Sequence, residues 1–239
     1  MIQGAVRTPI GDIGGSLAKV SAVSLGVTAS AESLRRAGVP VDKIEEVIFG
    51  NVLQAGQGQN PARQIAMGAG VPQAVASFTV NMVCGSGLKA IDLAWQSILL
   101  GRAGAILAGG VESMSQAPYL LPALREGARL GNAVAVDSVV ADGLTDVFGQ
   151  VHMGVTAENI AKEFSVSREE QDRFAAESQR KCGAAIKAGL FADEIVPVII
   201  KDRKGEVVVG VDEHPRPQTT VEKLASLRPA FQTGGTVTA

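Results

Sequence analysis

Cys84 is the residue in this sequence best placed to do covalent chemistry. It stands in Val80-Asn81-Met82-Val83-Cys84-Gly85-Ser86-Gly87-Leu88, between an apolar, β-branched run and a helical pattern. Gly85 and Gly87 leave room for a substrate to reach the sulfur and let the backbone turn sharply. If a helix begins there, its free N–H groups and the positive end of its dipole favour a thiolate. That combination suits a nucleophile that forms a covalent intermediate. The same residues also suit a small, buried, apolar cysteine packed at a strand end. Position and glycines alone do not separate the two.

The flanking elements carry the placement. Phe78 to Val83 reads as a short buried strand. Leu88, Ile91, Trp95 and Ile98 recur at three and four residues, with Lys89, Asp92 and Gln96 between them, so an amphipathic helix follows until Gly101. Upstream, Gln3 to Val6 reads as the end of a strand, Ser24 to Arg36 as a helix stopped by Gly38, and Val47 to Asn51 as a strand. Gly56 to Asn60 is a polar loop ahead of a helix with Pro61 in its first turn. Gln57-Gly58-Gln59 lacks the pattern of a phosphate cradle. Ala103 to Val111 is short and unalternating, which suits a strand covered on both faces. Strand–helix–strand alternation to this point predicts a layered α/β domain.

Beyond Ser113 the character changes. Residues 116–150 are rich in Pro, Gly and Asp and read as an extended excursion in which Leu120, Leu121, Leu124 and Leu130 need burial. Ser167 and Glu170 form a capping box for a helix reaching about Ala188, with Gly189 as its stop. Cys182 shares a face of that helix with Phe174, Ser178 and Ile186, and is read as core or half-buried. Ile195 to Lys201 and Glu206 to Val211, joined by Asp202-Arg203-Lys204-Gly205, read as a hairpin. Thr219 and Glu222 suggest a second capping box.

Composition narrows the function. A chain of 239 residues can bury a substantial core. Its net charge of −2 offers no footprint for nucleic acid or an anionic membrane. No apolar run approaches the roughly 20 residues that span a bilayer, and Met1-Ile2-Gln3-Gly4 is no secretory signal. Two cysteines without CxxC spacing predict neither a disulfide framework nor a metal site. A reducing cytoplasm fits best.

Asn81 to Ala90 resembles the nucleophile segment of the thiolases, enzymes that make or cleave 3-ketoacyl-CoA. The resemblance runs along the whole chain. It includes Arg7-Thr8-Pro9-Ile10-Gly11, Gly58-Gln59-Asn60-Pro61-Ala62-Arg63-Gln64 and Gly109-Gly110-Val111-Glu112-Ser113-Met114-Ser115. It continues through Asp142-Gly143-Leu144-Thr145-Asp146, His152-Met153-Gly154 and Thr156-Ala157-Glu158-Asn159. It closes on Leu227-Arg228-Pro229-Ala230-Phe231 and Gly235-Thr236-Val237-Thr238-Ala239.

The resemblance implies an α/β/α half with an inserted α+β loop domain. Residues 1–113 would be most of the first half and residues 114–239 the loop domain, with the first strand shortened and the C-terminal half absent. It implies acetyl-CoA acetyltransferase chemistry, two acetyl-CoA to acetoacetyl-CoA and the reverse, through an acyl-thioester on Cys84. His152-Met153-Gly154 and Ser115-Gln116-Ala117-Pro118 look like the short-chain type. It places CoA contacts at Leu144, His152, Met153, Arg216 and Lys223, the lysine departing from the small residue often found there. No permanently bound cofactor is implied, only the CoA thioester as substrate. A homodimer or homotetramer is implied, with the loop at 56–60 near a dimer contact.

The family's activating histidine, second cysteine and enolate-binding donors have no counterpart here, and the Cys84 N–H is the one oxyanion donor in view. A lost general base costs about 10²–10⁴ in rate and a lost oxyanion donor roughly 10²–10³. The chain alone is therefore expected to be inactive. The alternatives are a longer-chain 3-ketoacyl-CoA thiolase, a non-catalytic chain of a split thiolase, and a Cys–His hydrolase using His152 or His214.

Overall fold

A computed structural model describes residues 1–203 and 205–238. Lys204 of the expected hairpin turn and Ala239 of the last matched motif lie outside the described residues. In chain order the elements begin with α1 (Ala22–Ala37), β1 (Glu46–Gly50), α2 (Pro61–Gly68), β2 (Ala76–Val80), α3 (Ser86–Leu99) and β3 (Ile106–Gly110). There follow β4 (Tyr119–Leu120), β5 (Val136–Asp137), β6 (Thr145–Asp146), β7 (Val151–His152), α4 (Met153–Glu163) and α5 (Arg168–Lys187). The last are β8 (Val198–Asp202), β9 (Gly205–Val209) and α6 (Val221–Ala225). They fall into two compact units, Met1–Gly143 with Glu194–Glu213, and Leu144–Asp193 with His214–Ala239. Compactness thus groups residues 114–143 and 194–213 with the first unit, which differs from a cut at residue 113.

The first unit is built on a parallel sheet in the order β2-β1-β3. β1 is central, Ile48 lying opposite Phe78 on one side and Ala108 on the other. Val47 and Phe49 turn to one face, where Leu34 of α1 and Ile65 of α2 meet them. Ile48 turns to the other, onto Ala90 and Ala94 of α3. Helices therefore flank both faces, as the strand–helix alternation predicts. Burying a side chain such as Ile48 contributes about 1.5–3 kcal/mol. α1 starts where the Ser21 side chain accepts from Ser24 N–H and stops at Gly38, whose φ of 63° only glycine adopts freely. α2 starts on Asn60, with Pro61 inside its first turn. The hairpin β8–β9 is antiparallel and packs through Val198 and Val209 onto Leu17.

Several expectations are corrected. Residues 3–6 form no strand; Arg7 alone makes a bridge, to Ile195. β2 is not buried: it is an edge strand with Phe78 exposed, and it ends at Val80 instead of Val83. The apolar stripe of α3 does not face the core. Ala90 and Ala94 bring the helix close to the sheet, while Leu88 is 76% and Trp95 59% exposed. Leu121, Leu124 and Leu130 are exposed, Leu130 at 99%, in a stretch whose short 3-10 turn spans Pro122–Arg125.

In the second unit α5 has its capping box: Ser167 Oγ accepts from Glu170 N–H, and the Glu170 carboxylate accepts from Ser167 N–H. Cys182 is half-buried, while Phe174 on the same face is exposed. The cap of α6 is Thr220, which accepts from Lys223 N–H, and not Thr219, whose hydroxyl donates to Arg216 O. The buried Glu158 of α4 accepts from the backbone N–H of Thr236 and Val237. Those two bonds hold its pKa below the usual carboxylate value.

Candidate active site

Where β2 ends, the chain makes a tight elbow before α3. Val83 has a φ of 48°, a left-handed conformation that a β-branched residue rarely takes. Three side-chain bonds hold it there. Asn81 Oδ1 accepts from Val83 N–H at 2.9 Å. Ser86 Oγ accepts from Met82 N–H at 2.8 Å and donates to Val83 O at 2.6 Å. The Gly85 and Ser86 amides complete the turn, donating to Met82 O and Val83 O. Ser86 is 4% exposed, so it is a buried clamp, whereas Cys84 at the tip is exposed. The expected position is thus found, with the sulfur's residue two places before the first residue of α3. An exposed cysteine is not the packed alternative.

Glycines let the elbow sit this close to the sheet. A Cβ on Gly50, at the end of β1, would lie 2.4 Å from the Ser86 carbonyl carbon. One on Gly110, at the end of β3, would lie 3.0 Å from Gly87 Cα. The helix N-terminus therefore rests directly on two strand ends. Beside it, Glu112 accepts from Val52 N–H, Leu53 N–H and Asn51 Nδ2, tying those strand ends together. Lys89, the cation nearest Cys84 in sequence, is paired at 2.6 Å with Asp92. That bond, then one from Gln96, lowers the Asp92 pKa.

Sequence reasoning singled out Cys84 and its glycines but missed Ser86, Val83, Gly50 and the Asn51–Glu112 tie. The Cys-Gly-Ser-Gly run was a visible signal for Ser86. No sequence signal marks Val83. In the Gln57-Gly58-Gln59 loop, the carbonyls of Gln57 and Gln59 accept from Gln64 Nε2. Acceptor groups held this way are no phosphate cradle.

The five CoA candidates all fall in the second unit. β6 and β7 pair Thr145 with His152, which brings Leu144 and Met153 to one end of that small hairpin. His152 caps α4, its Nδ1 accepting from Gly154 N–H at 3.0 Å, and its ring stacks on Phe231 with centroids 5.0 Å apart. Gly154 is required by that stack, since a Cβ there would lie 2.1 Å from the Phe231 ring. Arg216 and Lys223 belong to one turn-and-helix unit. Arg216 is exposed, and its N–H donates to Gln179 Oε1. Lys223 Nζ donates to Gln218 O at 3.0 Å. Among the described residues no group of three or more His, Cys, Asp or Glu could hold a metal ion, and no helix is long and apolar enough to cross a membrane.

Comparison with known proteins bears on both units. A 55% identical relative, a probable acetyl-CoA acyltransferase of Staphylococcus epidermidis, matches over 98% of this chain and 60% of its own length. The acetyl-CoA acetyltransferase of Cupriavidus necator is 52% identical over 100% of this chain and 61% of its own. The crystal structure of the Bacillus anthracis acetyl-CoA acetyltransferase superposes with a TM-score of 0.96 at 43% identity, covering 99% of this chain and 60% of that one. The chain thus spans about 60% of the length of the curated relatives it matches. The family model for the N-terminal domain of thiolase matches residues 1–239, and the chain belongs to the thiolase family.

Proposed function

We propose that this chain carries the nucleophile and the CoA-binding part of an acetyl-CoA acetyltransferase. The supporting observation is the elbow: an exposed Cys84 held at the start of α3 by the buried Ser86. In the first step the Cys84 thiolate attacks the acetyl carbonyl, a thioester forms on sulfur, and CoA leaves as its thiol after taking up a proton. In the second step a second acetyl-CoA loses an α-proton. Its carbanion attacks the enzyme thioester, forming the carbon–carbon bond of acetoacetyl-CoA and releasing the cysteine. Thiolysis is the reverse. Because the Gly85 and Ser86 amides are turned inward, the Cys84 N–H is the elbow donor for the oxyanion.

On this reading residues 1–113 are the catalytic α/β part and residues 114–239 the loop domain that holds CoA. Leu144 and Met153 line the pantetheine side, with His152 fixed beneath by its cap and stack. The exposed Arg216 takes the nucleotide, where a planar cation serves both adenine and phosphate. Lys223 adds charge for phosphate. The base, the second cysteine and the enolate donors belong to the part of the relatives' length that this chain does not span, so turnover requires them. The assembled enzyme is a homodimer or homotetramer, and a reducing compartment suits its exposed thiol.

An alkylating analogue of acetyl-CoA tests the assignment by intact mass and peptide mapping. One adduct, on Cys84 and absent from Cys84→Ser, is expected. Labelling of Cys182 instead, or no CoA-dependent labelling, overturns it.

A further inference from the structure

We infer that Glu158 is a positioning residue for the CoA site: its carboxylate fixes the loop 230–237, and that loop lays the Phe231 ring over His152. The inference rests on the reading above that His152 and Met153 belong to the pantetheine side of that site. Every residue it uses lies within the second unit.

After α6, residues 226–238 form neither helix nor strand. Pro229, Gly234 and Gly235 disfavour a helix there, so the backbone groups need partners outside any regular ladder. At the near end Arg168 of α5, paired with Asp172 at 2.8 Å, donates to Leu224 O and Leu227 O. At the far end Glu158 accepts from Thr236 N–H at 2.8 and 3.0 Å and from Val237 N–H at 2.8 Å. It also accepts from the Thr236 hydroxyl at 3.2 Å, and that hydroxyl accepts from Gln171 Nε2 at 3.0 Å. Inside the loop, Ala230 N–H donates to Val237 O and Gly235 N–H to Gln232 O, both at 3.0 Å. Val237 is thus held by Glu158 through its N–H and holds Ala230 through its C=O. Phe231 is the next residue.

One face of α4 receives both parts of this arrangement. Gly154 and Glu158 are one helical turn apart and lie one above the other. Gly154 seats the Phe231 ring, and Glu158 meets Gly235, where a Cβ would lie 2.2 Å from its Oε1. The ring stacks on His152 at an interplanar angle of 18°, and His152 caps α4 directly before Met153. Both carboxylate oxygens of the buried Glu158 accept from donors of the loop, so it acts through the loop and not on a substrate. Glu158→Gln keeps the size of the side chain but sets an NH₂ donor against the N–H donors of Thr236 and Val237. Gly235→Ala displaces the carboxylate from the loop side and leaves Glu158 in place.

The test compares the full chain with these two variants, so that a folding defect in one does not close it. Three readouts are taken: CoA affinity by calorimetry under reducing conditions, the His152 ring protons by NMR, and alkylation of Cys84 by iodoacetamide. CoA should bind each variant about tenfold more weakly, the cost of a binding loop that is no longer preorganised. His152, one of two histidines in the chain, should lose the ring-current shift from Phe231, its signals moving toward their positions in Phe231→Leu. The alkylation rate should stay at the wild-type value, because Glu158 does not act on the thiol. Unchanged CoA affinity, unmoved His152 signals or slower alkylation overturns the inference. The two failures are distinguishable. CoA that leaves the wild-type His152 signals unmoved removes the reading, and the inference with it; CoA that moves them, with equal affinity in the variants, removes the inference alone.

Discussion

Val83 and Ser86 set the backbone turn that carries Cys84. A left-handed conformation costs an L-residue roughly 1–2 kcal/mol, and at Val83 it persists because Asn81 and Ser86 grip the turn from both sides. Val83→Gly removes that strain but frees the backbone. The expected result is an unchanged or slightly raised Tm together with slower labelling of Cys84 by an acetyl-CoA analogue. Faster labelling would mean that the strain hinders the thiol instead of aiming it. Ser86→Ala leaves the Met82 N–H without its acceptor, a loss of about 1–3 kcal/mol for an orphaned donor. Chemical denaturation should show that loss, and the labelling rate should fall with it. The tie at Glu112 belongs to the same shell, since it holds Asn51 and two amides just past β1.

α3 meets the sheet through small residues, and that contact sets the height of the elbow above the strand ends. Gly50→Ala places a methyl 2.4 Å from a backbone carbon that cannot swing away. Overpacking of this kind typically costs about 1–3 kcal/mol. The variant should melt lower and label more slowly, and unchanged labelling would show that the elbow does not depend on this contact. The same contact explains what the sequence made legible. β1, α1, α2 and the α5 cap were readable because capping residues and periodicity act locally. The orientation of α3 was not readable from its pattern. Leu88, Ile91, Trp95 and Ile98 make a more apolar stripe than Ala90 and Ala94, yet the alanines face the sheet because close approach at Gly50 and Gly110 demands small side chains. The elbow was legible as two glycines beside a cysteine. Its buried clamp was not, because Ser86 is recognisable only once Met82 and Val83 curl back over it. The CoA candidates rest on resemblance, and the geometry of His152 adds the cap and stack that periodicity could not supply.

Across the whole molecule, buried or half-buried carboxylates pin irregular segments that regular secondary structure does not hold. Asp212, its side chain 6% exposed, takes both terminal nitrogens of Arg7 at 2.7 and 2.9 Å and the Ile10 N–H at 2.8 Å. Glu213 accepts from Asp12 and Ser16 N–H, and in the other unit Glu158 accepts from Thr236 and Val237. The Arg7 bond holds Asp212 below the usual carboxylate range, and backbone N–H donors do the same for Glu213 and Glu158. Unfolded Asp and Glu titrate near about 3.9 and 4.3, so on acidification the unfolded chain takes up protons first. The stabilisation from these groups is whole above those values and is lost as pH falls through the lower folded ones. Asp212→Ala should therefore lower stability at pH 7 by about 1.5–3 kcal/mol, the worth of hydrogen bonds to a charged group. The gap in Tm between variant and wild type should narrow as pH is taken from 7 to 3, because the wild-type carboxylate is then being protonated as well. Thermal melts across that range read the gap directly. A gap that stays constant to pH 3 would mean that Asp212 stabilises the N-terminal segment through shape rather than charge.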